Sequence, residues 1–463
     1  MSPASPASPP PPDIAALRKR IDDLSSTIQA ESQEQLIHDL EKEQSEARRQ
    51  LNSLLDPMAR LPLELQSHIF CDVERVKAHN APHPADVPML FLSVCHLWSV
   101  IALSTPALWT RLEIRSLPCS DNYEELCRKW MGHAGSLPLT LTLGARGSLR
   151  LDGSLQELIA EHQHQLETLT LKLGFTRATP RTPRRIKVQG PFPSLRRLTI
   201  TTGDEIWFSS VQDWLHVLEQ CPELTWCRFE NIPFDFDEAE ELGNSALPLV
   251  HTSLHHLDLG LGDPPSNGFD RNSAVVLAYL TLPALRTLSI SDFDLPLTEF
   301  ISFFTQSAPP LESLSILVPF LSNVETRQLP QMFAPISGLQ HLRLATAHNV
   351  AANRSLEFMD SLAGCLPHLQ SLSMYMFSGK RPDYERLLSM LSARRSSQKT
   401  PLKAFNLCFS DQAGHDYAAD VLSADILLAF RNLVQDGMEI HVGPLDVQLH
   451  RNFLELSSGH DSV

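Results

Sequence analysis

The chain has 463 residues, a hydrophobic content of 43% and a formal net charge of -16. That length is enough for two or three ordinary domains or one long repeat array. The acidic balance, with a pI of about 5.6, argues against a general nucleic-acid binder. The first twelve residues hold six prolines and no apolar run, so no secretory leader is expected there. The most apolar stretch, Met89 to Leu103, is too short to span a bilayer and is interrupted by Ser93, His96 and Ser99. The eight cysteines form no CxxC pair, which fits scattered reduced thiols in a cytoplasmic or nuclear protein.

In chain order, residues 1–12 form a Ser/Ala/Pro-rich tail expected to be disordered. Residues 13–56 read as an amphipathic, coiled-coil-like helix. Ile14, Leu17, Ile21, Leu24 and Ile28 alternate by three and four, and the seam slips near Glu31 to Gln35. Leu36, Leu40, Ala47, Leu51 and Leu54 then resume it. An oligomerising coiled coil and a helix lying on the protein's own body both fit this pattern.

Residues 57–115 form the next segment. Pro62 suits a first helical turn, and Leu65, Ile69, Phe70 and Val73 follow at helical spacing. Arg75 to Pro88 holds three prolines and reads as a loop. Phe91, Val94, Cys95, Trp98, Ile101 and Ala102 predict a second helical stripe, and Thr105-Pro106 starts a turn carrying Leu108 and Trp109.

The blocks LPLELQSHIF, VCHLW and IALSTPALW, in that order, resemble the F-box, in the version common among fungal F-box proteins. The resemblance implies docking to the Skp-type adaptor of a cullin–RING ubiquitin ligase. Pro62, Leu65, Ile69, Val94, Cys95 and Trp98 match the motif positions and are the adaptor-binding residues it implies. The family often has Arg beside the Cys and Trp of its second block, where this chain has His96, Leu97 and Ser99.

Residues 116–443 carry a repeat. Asp121 with Glu124 reads as a capping box for a helix bearing Leu126, Cys127, Trp130 and Met131, and PLTLTL at 138–143 reads as a strand. Blocks close to L-x-x-L-x-L, some with Ile or Met in the last position and one reading LTWCRF, then begin at Leu166, Leu195, Leu224, Leu254, Leu285, Leu311, Leu339 and Leu369. A looser block, LKAFNL, begins at Leu402, and successive starts lie 26 to 33 residues apart. Helical segments are expected between them at 154–165, 210–220, 299–307 and 355–365, several followed by a Pro turn such as FPSL or LPHL.

The cycle resembles leucine-rich repeats, without the regular Asn or Cys of that family and with longer units. The expected fold is therefore α/β: an N-terminal helical segment and F-box helices, then an irregular leucine-rich-repeat-like solenoid of parallel strands and outer helices. Residues 444–463 read as a tail.

On such strands the leucines point inward and the residues between them form an open face. Trp226, Arg228, His256, His341, Arg343 and Tyr375 are the residues of that row suited to binding a target protein. Any one of them alone is better read as an ordinary solvated position, and only the set points to a partner surface. Arg177 to Lys187 is a basic run with two Thr-Pro steps, readable as a modification or import site or as a plain surface loop. His79 with His83, and His251 with His255 and His256, have metal-like spacing but no carboxylate or Cys partner, so solvated histidines and no metal are expected. Asp235 to Glu241 reads as an acidic helix start.

Gly260 to Gly268 lacks the lysine of a phosphate loop, and no GxSxG or HExxH is present. No cofactor, membrane or nucleic-acid partner is expected. The resemblance implies a non-catalytic substrate receptor, whose partners are the adaptor with its cullin complex and a target protein. The alternative is a scaffold whose F-box-like helices only cap the repeats.

Overall fold

The structure is a computed structural model. It describes residues 14–30, 34–78, 88–114, 123–144, 153–173, 190–202, 211–230, 248–260, 273–291, 297–318, 330–346, 365–376, 384–397, 401–409 and 423–444. The tails at 1–12 and 445–463, the 177–187 run, His79, His83, Asp121 and residues 235–241, 261–268 and 355–364 lie outside them. So do the side chains of Ser154 and Glu124. The chain divides into two compact units, one of residues 1–115 with 119–140, the other of residues 116–118 with 141–463.

The first unit is mainly helical. The seam read as one helix is two, Ile14–Ala30 and Glu34–Leu55, separated where the heptad slips. They pack on each other through Leu17 and Ala47, which are buried, and are joined by an Arg20–Glu43 ion pair. Of the seam positions, Leu17 and Ala47 are buried, Ile21, Leu24, Leu40, Leu51 and Leu54 are half-buried, and Ile14 is exposed. Next come a short 3₁₀ turn Pro57–Arg60 and the helices Leu63–Ala78, Pro88–Val94 and His96–Leu103. A 3₁₀ turn Pro106–Trp109, strand β1 (Arg111–Ile114) and the helix Tyr123–His133 complete it.

The stripe expected to run from Phe91 to Ala102 is interrupted. Cys95 is extended, at φ -157° and ψ 168°, and separates two helices. Phe91 and Cys95 face inward, whereas Val94 is 44% exposed.

Beyond it lie β2 (Leu139–Gly144), β3 (Leu166–Leu173), β4 (Arg197–Thr202), β5 (Trp226–Glu230), β6 (Leu249–Val250), β7 (His256–Leu259) and β8 (Leu280–Thr281). They are followed by β9 (Thr287–Ser291), β10 (Ser313–Val318), β11 (His341–Thr346), β12 (Ser371–Met376), β13 (Ala404–Phe409) and β14 (Glu439–Pro444). Twelve of the strands join in chain order, and β6 and β8 pair separately. All nine leucine blocks are strands, paired parallel with their neighbours from β3 to β14, including β7 with β9. β1 and β14 are strands that carry no leucine block.

In each interior strand the block leucines are inside. Leu198, Leu257, Leu288, Leu314 and Leu342 are at most 1% exposed. The helices Val211–Glu219, Leu297–Ser307 and Tyr384–Ser397 match or overlap the expected segments or fill the gap between blocks. Parallel strands need such crossovers, since no tight turn returns the chain to the same end of the sheet.

A main-chain ladder precedes the strands. Arg196 N–H donates to Glu167 C=O at 2.8 Å, and the same step recurs through Thr225, His255, Arg286, Glu312, Gln340, Gln370 and Lys403 to Glu439. Side chains on this ladder also match across it: Glu167 pairs with Arg196, Arg286 with Glu312, and Gln370 donates to Gln340. These rungs satisfy the backbone groups just before each strand.

Candidate interaction surfaces

In the helical unit the core is aromatic. Phe70 stacks on Phe91 with ring centroids 4.0 Å apart, and Trp98 packs against both. Asp56 accepts a hydrogen bond from Met58 N–H, capping the 3₁₀ turn, and another from Trp98 Nε1. The Gln66 amide is buried and donates to Met58 C=O and Leu61 C=O, 2.7 Å from each. It therefore fixes the entry to the helix Leu63–Ala78. Trp109 is buried, donates from Nε1 to Ala102 C=O, and meets Trp130 edge-on at 5.0 Å. Neither Asp56 nor Gln66 carries a sequence signal strong enough to announce this role.

The apolar positions of that helix split between two faces. Gln66 and Phe70 point inward, four residues apart. Leu65 and Ile69, also four apart, are 50% and 40% exposed. Each step of one residue turns the helix by 100°, so adjacent apolar residues cannot share one narrow face. Pro62, Leu63, Leu90, Val94, Val100 and Leu103 are exposed as well.

The six motif positions therefore divide. Pro62, Leu65, Ile69 and Val94 lie on the surface, Cys95 is buried, and Trp98 is half-buried as part of the core. Cys95 sits at the break between two helices, and Trp98 packs on Phe70 and Phe91. The exposed Leu63, Leu90, Val100 and Leu103 were missed by motif reading, because surface and core leucines look alike in sequence.

In the second unit the open-face residues lie in register across the sheet. Arg197, Trp226, His256 and Thr287 form one row, and Thr199, Arg228, Asp258 and Ser289 the next. Trp226 stacks on His256 with centroids 5.2 Å apart at 14°, and the Arg197 guanidinium lies over the indole at 5.9 Å. Arg228 pairs with Glu230 and, through Nε, with Asp258 Oδ2 at 3.3 Å. Thr201 donates to Glu230 at 2.9 Å.

Burial pushes the Asp258 carboxyl up to about 6, with Arg228 and Ser289 pulling the other way. Burial, then Arg228 and Arg197, push His256 down to about 4. At neutral pH the cluster thus holds a neutral imidazole beside a compensated arginine.

His341, Arg343 and Tyr375 lie elsewhere. β11 is three strands beyond β7, about 14 Å away at the usual interstrand spacing. His341 is exposed and Arg343 half-buried, but Tyr375 is 9% exposed and packs with Ala345 and Cys408. The third open-face position of β10 to β13 is Leu317, Ala345, Tyr375 and Cys408, so this part of the row is apolar and covered. Tyr375 is therefore corrected from an exposed contact to a packed residue. Trp226, Arg228 and His256 come together; the other three do not join them.

His251 is likewise buried, with Nε2 2.9 Å from Cys221 C=O, contrary to the solvated position expected. Among the described residues no group of three His, Cys, Asp or Glu is placed to hold a metal. Among them no helix is long and apolar enough to cross a membrane. Cys221 and Cys227 are buried thiols, the first pushed up to about 12 by burial and the second also raised well above the usual value. They are poor nucleophiles in this setting. No protein-family model matches the chain, and no curated protein matches it in sequence.

Proposed function

We propose that the chain is a non-catalytic substrate-receptor subunit of a cullin–RING ubiquitin ligase. In this reading Met58 to Ile114 is an F-box that docks a Skp-type adaptor. The strands from β3 onward form an irregular leucine-rich-repeat-like solenoid that holds a target protein.

The observation carrying the proposal is the helical unit's division of labour. An aromatic core of Phe70, Phe91 and Trp98 supports exposed Leu65, Ile69 and Val94 at motif positions, with Leu63, Leu90, Val100 and Leu103 exposed outside the motif. A monomer gains nothing from exposing so many large apolar side chains on adjacent helices, and such surfaces mark docking sites. The target face is assigned to Arg197, Trp226 and His256, a stacked, half-buried platform of the kind enriched in binding hot spots.

The test is co-purification of a Skp-type adaptor with the wild-type chain and with a chain lacking Met58 to Ile114. Retention by the first alone supports the receptor assignment. Failure of wild type to retain the adaptor, where a known F-box protein does, leaves the scaffold reading in its place.

A further inference from the structure

The end of the sheet at β14 differs from its middle. The helix Leu297–Ser307 buries Leu297, Phe300, Phe303, Phe304 and Ser307, and Val211–Glu219 buries four of its residues. The helix Ala424–Gln435, of similar length, buries only Leu433. It leaves Leu427, Leu428 and Val434 36%, 57% and 50% exposed.

The last strand repeats the contrast. Ile440 and Val442 are register partners of Phe405 and Leu407. The two partners on β13 are fully buried, whereas Ile440 and Val442 are only half-buried. In the strand order β14 has a neighbour on one side only, so among the described residues its outer edge presents unpaired N–H and C=O groups.

The chemistry of that end is self-complementary. Asp425 and Arg431 are exposed and lie three residues to either side of Leu428. Two antiparallel copies of this helix, related by a two-fold axis at Leu428, bring Asp425 of each copy opposite Arg431 of the other. A two-fold axis normal to the sheet likewise sets two β14 edges antiparallel, where they can pair and continue the sheet. A two-fold arrangement of this kind covers Leu428, the strand edge and both charges, while Leu427 and Val434 lie about 100° to 120° away round the helix.

We propose that this end of the chain is a homodimer interface whose occupant is a second copy, with Leu428 on the two-fold axis. The interface is independent of adaptor docking and of the target face.

The experiment is sedimentation equilibrium of the full chain over a range of concentrations. Wild type is expected to be a dimer, and Leu428→Asp a monomer with unchanged circular dichroism and a melting temperature that no longer depends on protein concentration. Arg431→Asp is expected to weaken the dimer at least about tenfold, since like charges then face each other twice. Combining it with Asp425→Arg restores the dimer. A concentration-independent wild-type monomer overturns the proposal. So does a dimer indifferent to Leu428→Asp, which places association elsewhere, as in the Ile14–Leu55 helices. A wild-type monomer whose Ala424–Gln435 amides lose protection when 445–463 is removed overturns it in favour of the chain's own segment.

Discussion

Replacing His256 by glutamine and Asp258 by asparagine is expected to change acid stability with opposite slopes. The Asp258 carboxyl, ordinarily near 3.8, is raised by burial to about 6 in the folded chain. Between those values the folded state holds a proton that the unfolded state has released, so stability falls as pH rises. The penalty is complete above about pH 6 and amounts to about 3 kcal/mol. His256 does the reverse. Its ordinary value of 6.5 is lowered to about 4 by burial and by Arg228 and Arg197. Between those values the unfolded chain takes up a proton that the folded chain refuses, so stability falls as pH falls, again by about 3 kcal/mol.

In the wild type the two slopes oppose one another over roughly pH 4 to 6. Glu230, Arg228 and Arg197 face the same cluster and are kept in both variants. His256→Gln removes one slope, so its stability should decline as pH rises through that window. Asp258→Asn removes the other, and its stability should decline as pH falls. Urea unfolding at a series of pH values measures both, and subtracting the wild-type curve cancels the groups common to all three chains. Two flat difference curves, or two of the same sign, refute the argument.

Four further outcomes are expected. Leu65 is 50% exposed, so Leu65→Ala should cost only about 1 kcal/mol of stability, yet, on the proposed function, weaken adaptor binding about tenfold in calorimetry. Phe70, 1% exposed and stacked on Phe91, is the converse: Phe70→Ala should destabilise the helical unit by about 3–5 kcal/mol in denaturant titration. Ala308 ends the helix Leu297–Ser307 at φ 41°, a region where glycine is unstrained, so Ala308→Gly should raise stability by about 1 kcal/mol in the same assay. Cys221 and Cys227 should resist thiol reagents until denaturant is added, as followed by mass spectrometry of labelled peptides.

Strand positions were legible because the signal is redundant. Leu198, Leu257, Leu288 and Leu314 recur at one offset, and each is buried. β14 was not legible, since Glu439–Pro444 reads EIHVGP and keeps only two apolar inward positions. The break at Cys95 was equally silent, because VCHLW is apolar enough to continue a helix and holds no Gly or Pro to mark an interruption. Among site residues, Trp226, Arg228 and His256 followed from alternation plus register. Tyr375 did not stay exposed, because alternation assigns a face and says nothing about what else lies on it. Leu65 and Phe70 were grouped together because both are apolar; the buried Gln66, a polar residue pointing inward, is what separates their faces.

The chain-order pairing of the strands bears on how so long a polypeptide folds at all. Partners across the sheet are close in sequence: Thr201 reaches Glu230, 29 residues on, and Gln370 reaches Gln340, 30 residues back. Each closure is therefore a short loop, and the entropy lost is that of a few tens of residues, repeated, instead of one closure across the whole chain. Contact order stays low for a parallel sheet, which favours faster folding than the strand count alone implies. Earlier strands can also pair while later ones are still being synthesised, so a nascent chain need not wait for its far end before hiding its leucines.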